Sequence, residues 1–377
     1  MASFLKNSVN NSLLKRVALV TGGTGLLGSW LIRLLITHGY KRIFVLARSG
    51  NGRSAETRVY EALRYHTNSE VLRQALKKVY VINGDLCTLN LGLSPRTASA
   101  LLKQVTDIFH TAALADLNAS LDIIRGPNVI GTRHVFEFAL SGACDRKSQL
   151  RIHHISTTAV AGTLEGWFAE DQFYCQQGFN NPYEQSKFEA EELAYVYRKE
   201  GLNIAIYRPG IITGDSRTGV TTNLGMIYQP LHFLALGLFQ KLPANEICVH
   251  SLTPVDKVAE AICLLSGAEG PSNCTWNLVN PYCVKLGELI NVACRVFRCS
   301  KPALIPLEFF PRKQLSPIQW RLIKPFIPYL NYRLRFKAEQ TNRELATLGF
   351  QWPEMDRAML IKLFKYCIRC GFIRRNF

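Results

Sequence analysis

TGGTGLLG, Thr21–Gly28, follows an apolar run at Arg16–Thr21 and leads into an apolar, helix-like segment, Leu26–His38. Gly23, Gly25 and Gly28 satisfy G-x-G-x-x-G, while Gly22, Gly25 and Gly28 satisfy G-x-x-G-x-x-G. Glycines at these spacings permit a tight turn, close approach of a pyrophosphate and close packing of helix on sheet. The helix start offers unpaired N–H groups and the positive end of its dipole to phosphate oxygens. Alone, the pattern is weak. Between the first strand and first helix of a βαβ series it predicts a dinucleotide site, with Thr21, Gly22, Gly23, Thr24, Gly25, Leu26, Leu27 and Gly28 as cofactor contacts.

That series is present. Further strand candidates are Arg42–Ala47, Val79–Asn83, Asp107–His110, Arg151–Ser156 and Asn203–Tyr207. Several are almost wholly apolar, as parallel strands covered on both faces must be. Helix candidates lie between them at Ala55–Leu63, Asn128–Leu140 and Glu184–Arg198. The rhythm predicts an α/β fold, a Rossmann-type doubly wound parallel sheet. It stops near residue 215, beyond which Gly, Pro and aromatic residues rise and QPLHFLALGLFQKLP reads as a pocket wall or interface helix. A capped amphipathic helix is expected at 253–266 and a strand at Thr275–Val279. The expected division is a nucleotide-binding domain over 1–215, to which part of 250–280 returns, and a smaller, mostly helical substrate domain over 216–377.

The second strand ends in Val45-Leu46-Ala47-Arg48-Ser49. An acid would bind the ribose 2′-hydroxyl of NAD there; a guanidinium suits the 2′-phosphate of NADP. Arg58 is a candidate second contact, with solvated surface charge the alternative for both arginines. Asp85, before Leu86 in INGDL, could accept from the adenine amino group, and small Ala112 and Ala113 in HTAA would let backbone approach the cofactor. These runs end the third and fourth strands, where an open α/β sheet places its ligand.

The fifth strand ends in ISTT, and NPYEQSK follows. Tyr183 and Lys187, at i and i+4, share one helix face. A nearby ammonium would lower the tyrosine pKa toward working pH, so that the phenol could deliver a proton while NADPH delivers hydride. Thr157 would hold the carbonyl oxygen as charge develops. His153 and His154 should face opposite ways along the strand, and His110 should bond within the sheet. Glu170 and Asp171 either cap a loop or rim the site.

TGGTGLLG, HTAA, PNVIGT, the ST pair and YEQSK together resemble an extended short-chain dehydrogenase/reductase. GDLCTLNLGLS (Gly84–Ser94), IFHTAALADLN (Ile108–Asn118), PYEQSKFEAE (Pro182–Glu191) and YRPGIITGDSRTG (Tyr207–Gly219) resemble the thioester reductase and fatty acyl-CoA reductase group, the male sterility type. The resemblance covers roughly residues 16–280. It implies a catalytic triad of Thr157, Tyr183 and Lys187, with Asn128 supporting the lysine through water. It implies cofactor contacts from Gly22, Gly25, Gly28, Arg48, Arg58 and Asp85, and places Pro209 and Gly210 near the nicotinamide amide. HTAA departs from the family's usual asparagine-bearing motif.

The implied activity is NADPH-dependent reduction of an acyl thioester to an aldehyde, and possible further reduction to an alcohol stays open. With no adenylation or carrier segment in the sequence, the thioester is expected on a separate acidic carrier protein or on coenzyme A. Alternatives are a ketone or alcohol oxidoreductase of hydroxysteroid dehydrogenase type, a sugar-nucleotide epimerase or dehydratase, and a cofactor-binding regulator or scaffold.

The formal charge of +17 favours anionic partners. Residues 301–377 hold 15 Lys and Arg against 5 acids. No nucleic-acid-binding signature accompanies the charge; the basic C-terminal segment reads first as a solvated face, next as a dock for a carrier protein or coenzyme A, and third as shallow membrane contact. Cys367 and Cys370 form a lone Cys-x-x-Cys, so no metal is expected. Neither a long apolar N-terminal run nor a stretch of ~18 apolar residues is present, so the expected setting is cytoplasmic. Oligomeric state is not readable.

Overall fold

The computed structural model describes residues 16–65, 67, 69–142, 150–267 and 273–374. The N-terminal segment, where a leader peptide would stand, lies outside them apart from Arg16. Seven strands form the main sheet: β1 (Val17–Thr21), β2 (Arg42–Ala47), β3 (Val79–Asn83), β4 (Asp107–His110), β5 (Arg151–Ile155), β6 (Asn203–Pro209) and β7 (Thr275–Leu278). Their order is β3-β2-β1-β4-β5-β6-β7, and every pairing is parallel. The chain starts mid-sheet, runs to one edge, then returns to build the other half from β4. The crevice at the carboxyl ends of β1 and β4 is where such a sheet receives a ligand.

Successive side chains of a strand point to opposite faces. Ala18 and Val20 join Leu31, Ile32 and Leu35 of helix Leu26–Thr37 and Val258 and Ile262 of helix Val255–Gly267. Val17 and Leu19 join Val135 and Phe136 of helix Gly131–Ser141 and Ala194 of helix Pro182–Lys199. Each such Leu, Ile or Val contributes about 1.5–3 kcal/mol over its exposed state. Layers on both faces explain the apolar runs in the sequence. His153 and His154 divide in the same way: His153 stacks on Phe109, while His154 meets His110 and Phe136.

The strands fall within two residues of the expected bounds, but the helices differ more. In place of one helix over Asn128–Leu140 there are Leu121–Arg125, a π turn at Gly126–Ile130 and Gly131–Ser141. Pro127 lacks the N–H that an α-helical bond requires there. Helices Ser69–Lys78 and Pro95–Leu102 were not expected. Ser94 caps the second of these through the Thr97 N–H, and Pro95 occupies its first turn.

Beyond residue 215, helices Tyr228–Ala235, Leu286–Phe297 and Arg357–Arg369 share a core through Leu231, Leu289 and Leu363. The chain then returns to the first lobe, where Leu334–Phe336 pairs with Gly166–Phe168. Glu170 accepts from the N–H groups of Gln340 (3.0 Å) and Thr341 (2.8 Å), capping helix Glu339–Thr347. Its role is structural, and Asp171 is exposed. Cys367 is buried in the lobe's core and Cys370 is exposed at the helix end. Among the described residues, no helix is long and apolar enough to cross a membrane.

Candidate active site

Two glycines shape the phosphate loop. Gly22 has φ +73°, and a Cβ on it would lie 2.6 Å from the Ala112 nitrogen. A Cβ on Gly28 would lie 2.2 Å from the Gly22 carbonyl oxygen. No side chain caps the helix that begins after Gly25, so its first N–H groups remain donors at the cleft, which Leu26, Leu27 and Gly28 line. This bare, backbone-walled cradle fits a pyrophosphate. Thr21 and Gly23 lie behind it. The Thr21 hydroxyl pairs with His110 Nδ1 (2.7 Å), whose Nε2 pairs with Thr132 (2.9 Å), and Gly23 packs on Val45 and Ile32. Burial above all, then Lys187, pushes His110 down to about 3, so its imidazole stays neutral as a tie within the sheet. Thr24 is half-buried.

Arg48, Arg58 and Asp85 gather at the carboxyl ends of β2 and β3, outside the cleft walls. Arg48 donates to Asp85 (3.4 Å), and Arg58 donates to the Arg48 carbonyl (2.5 Å). The Arg48 side chain is 62% exposed, so its outer N–H groups remain accessible. Leu86 packs on Gly131, and its carbonyl pairs with His134 (2.7 Å). Ala113 lines the cleft, whereas Ala112 closes on Gly22.

The cleft has a volume of about 700 Å³ and brings Thr157, Tyr183, Lys187, Pro209 and Gly210 together with the glycine loop. Asn181 caps helix Pro182–Lys199 by accepting from the Glu184 N–H (3.0 Å), which presents Tyr183 in the first turn. The Thr157 hydroxyl acts on the Tyr183 phenol, holding its pKa down, and accepts from the Ala159 N–H (3.2 Å). The Thr158 hydroxyl instead donates to the Pro209 carbonyl (3.3 Å).

The electrostatics correct one expectation. Burial pushes the Tyr183 phenol up to about 12, against the smaller lowering effect of Thr157. The Lys187 ammonium donates to the Ile155 carbonyl (2.8 Å). Burial lowers Lys187 itself to about 8. The phenol is therefore a retained proton rather than a near-phenolate. Asn128 is buried beside Ser186. It donates to the Leu114 carbonyl (3.0 Å) and the Ser186 hydroxyl (2.9 Å), and accepts from the Leu114 N–H (2.7 Å). Its direct partners are the neighbour of Lys187 and the loop after HTAA.

The site's deeper support escaped the sequence reading. Glu191 accepts from Arg208 Nε (2.9 Å) and Nη2 (2.5 Å), and from Ser156 beside Thr157 (2.5 Å). Cleft residues Trp167, His250, Tyr329, Tyr332, Arg335 and Lys337 were missed as well. They lie on segments without periodicity, and only their aromatic and basic character marked them.

Residues 20–262 match the family model described as male sterility protein. The chain belongs to that family. Its architecture is that of the extended short-chain dehydrogenase/reductases. It is 30% identical over 282 residues to a component of the linear gramicidin synthase of Brevibacillus parabrevis, covering 73% of this chain and 5% of that protein. It is 26% identical over 358 residues to aldehyde reductase lnbA of Aspergillus flavus, covering 91% of this chain and 34% of that one. It therefore spans a small part of each of these relatives. Among solved structures, the terminal R domain from the myxalamid PKS-NRPS biosynthetic pathway has a TM-score of 0.80 and 25% identity, with 96% and 92% of the two chains covered.

With a dinucleotide-binding family and a fitting cradle established, Arg48 becomes testable. Arg48→Ala is expected to weaken NADPH binding about 10- to 100-fold, the value of one or two charge-assisted bonds to a phosphate. NADH binding should hardly change. Titration of wild type and variant with both dinucleotides checks this, and equal losses would remove Arg48 from the 2′-phosphate.

Proposed function

We propose that this chain is an NADPH-dependent reductase of an acyl thioester, releasing the aldehyde. The observation that carries the reading is the convergence of Thr157, Tyr183 and Lys187 on a cleft floored by the glycine loop. The family membership and the resemblance of YRPGIITGDSRTG support the thioester as the group attacked. NADPH, when bound, supplies the hydride to the carbonyl carbon. The phosphate cradle and Arg48, with Arg58 and Asp85 beside it, would hold the cofactor.

The Thr157 and Tyr183 hydroxyls then act on the carbonyl oxygen, stabilising charge as it develops. With its pKa raised to about 12, Tyr183 holds its proton until the oxygen becomes the stronger base. The Lys187 ammonium, fixed on the Ile155 carbonyl, lines the same cleft and brings positive charge to it. Collapse of the resulting hemithioacetal breaks the C–S bond, and the thiolate leaves with a proton as the carbonyl re-forms. We assign cofactor binding to residues 1–215 with the returning part of 250–280, and substrate binding to 216–377. The substrate's carrier is an acidic carrier protein or coenzyme A, matched to the basic C-terminal segment.

The test is a panel of acyl-coenzyme A, acyl-carrier and ketone substrates with NADPH, followed at the reduced-nicotinamide band. Thioesters are expected to turn over. Turnover confined to free ketones would replace this reading with that of a carbonyl reductase.

A further inference from the structure

The start of helix Pro182–Lys199 is held from both lobes. Asn181 is the N-cap and accepts from the Glu184 N–H (3.0 Å). Glu184 turns back to accept from the Asn180 N–H (2.7 Å), one residue before the usual partner in a capping box. Tyr183 stands between these two capping residues. Both of them meet one further group, the hydroxyl of Tyr329, which accepts from Asn181 Nδ2 (2.7 Å) and donates to Glu184 Oε1 (2.7 Å). Tyr329 is anchored in the C-terminal lobe. Its neighbours Ile327 and Leu330 belong to that lobe's core, and Asn331 donates to the Pro243 carbonyl (2.9 Å) and accepts from the Leu307 N–H (3.1 Å). The hydroxyl therefore joins the lobes at the residues flanking Tyr183, and Tyr329 also lines the cleft.

The N–H groups of a first turn have no intrahelical partner, so the turn's place depends on such side chains. With Nδ2 given to Tyr329, the Asn181 amide keeps its oxygen turned to the Glu184 N–H. Without that acceptor the amide is free to flip, and Glu184, 1% exposed, loses a donor to its buried carboxylate. We propose that Tyr329 is a positioning residue for the reaction: through Asn181 and Glu184 it holds the first helical turn, and with it the Tyr183 phenol, where the proton is delivered. The proposal rests on Tyr183 as the proton donor. It gives the C-terminal lobe a part in the chemistry beyond holding the substrate.

Tyr329→Phe keeps the ring in the cleft wall and removes only the hydroxyl. It is expected to lower kcat about 10- to 100-fold, as a small misplacement of a reacting group does, with the substrate's KM and NADPH binding changed less than about twofold. A raised KM at unchanged kcat would make Tyr329 a substrate contact and overturn the proposal. In a Tyr183→Phe background, Tyr329→Phe should add no further loss, because it acts through the phenol already removed; a full additional loss would refute it. The comparison is made on whichever thioester or ketone is reduced. Tyr183→Phe at the wild-type rate would remove the reading of Tyr183, whereas a slow Tyr183→Phe beside a wild-type Tyr329→Phe would remove only the role of Tyr329. Hydrogen exchange reads the same tie without chemistry. In NADP-loaded Tyr329→Phe, amides of residues 181–187 should exchange about tenfold faster while those of β1 keep their wild-type rate. Unchanged exchange at 181–187, or a rise shared by β1, would overturn the proposal.

Discussion

Tyr183→Phe is expected to lower kcat for thioester reduction by about 10²–10⁴-fold, the usual contribution of a positioned general acid. Only the hydroxyl is removed, on which the Thr157 hydroxyl acts. The ring keeps its place in the first turn of helix Pro182–Lys199. Stability should therefore change by no more than about 1 kcal/mol, the net value of one hydrogen bond. NADPH titration and urea unfolding separate a lost proton donor from a lost fold. A variant that reduces thioesters at the wild-type rate would make Tyr183 a packing residue.

Glu191→Ala is expected to destabilise the protein by about 3–5 kcal/mol, because it leaves a buried guanidinium unpaired. The side chains of Arg208 and Glu191 are both 0% exposed. Further Arg208 contacts remain, to the Gln172 carbonyl (2.9 Å), the Ala169 carbonyl (3.4 Å), the Tyr195 hydroxyl (3.4 Å) and the Phe168 ring at 4.9 Å, but none neutralises its charge. The same change frees the Ser156 hydroxyl next to Thr157, so activity should fall even at temperatures where the fold persists. A Glu191→Leu, Arg208→Met double variant should recover much of the stability, since an apolar pair of similar volume often replaces a buried ion pair without loss. The urea midpoints of the three proteins provide the measurement. A Glu191→Ala midpoint equal to that of the wild type would show that the pair does not hold the strand end.

The sheet was legible because its inner strands are covered on both faces and so appear as largely apolar runs. Val79–Asn83 and Asp107–His110 match their expected bounds. Helix Ser69–Lys78 carried a readable signal, with Val71 and Ala75 one turn apart and buried. Pro127 marked the break that became a π turn. The reactive residues Tyr183 and Lys187 were legible through local spacing on one helix. Their supports were not, since Glu184 meets Tyr329 from 145 residues away and Glu191 meets Arg208 through the fold. The direction of the Tyr183 shift also depends on burial, which no motif states. In the C-terminal lobe, strands of two or three residues offer too short a period to read.

The central claim is that hydride reaches a thioester carbonyl and a thiol departs. It is tested most directly by counting products after mixing the protein, NADPH and an acyl-coenzyme A. The expected result is one free thiol and one aldehyde for each NADPH consumed, with all three suppressed in Tyr183→Phe. NADPH consumed without release of thiol, or consumed only when a free ketone is supplied, would contradict the account.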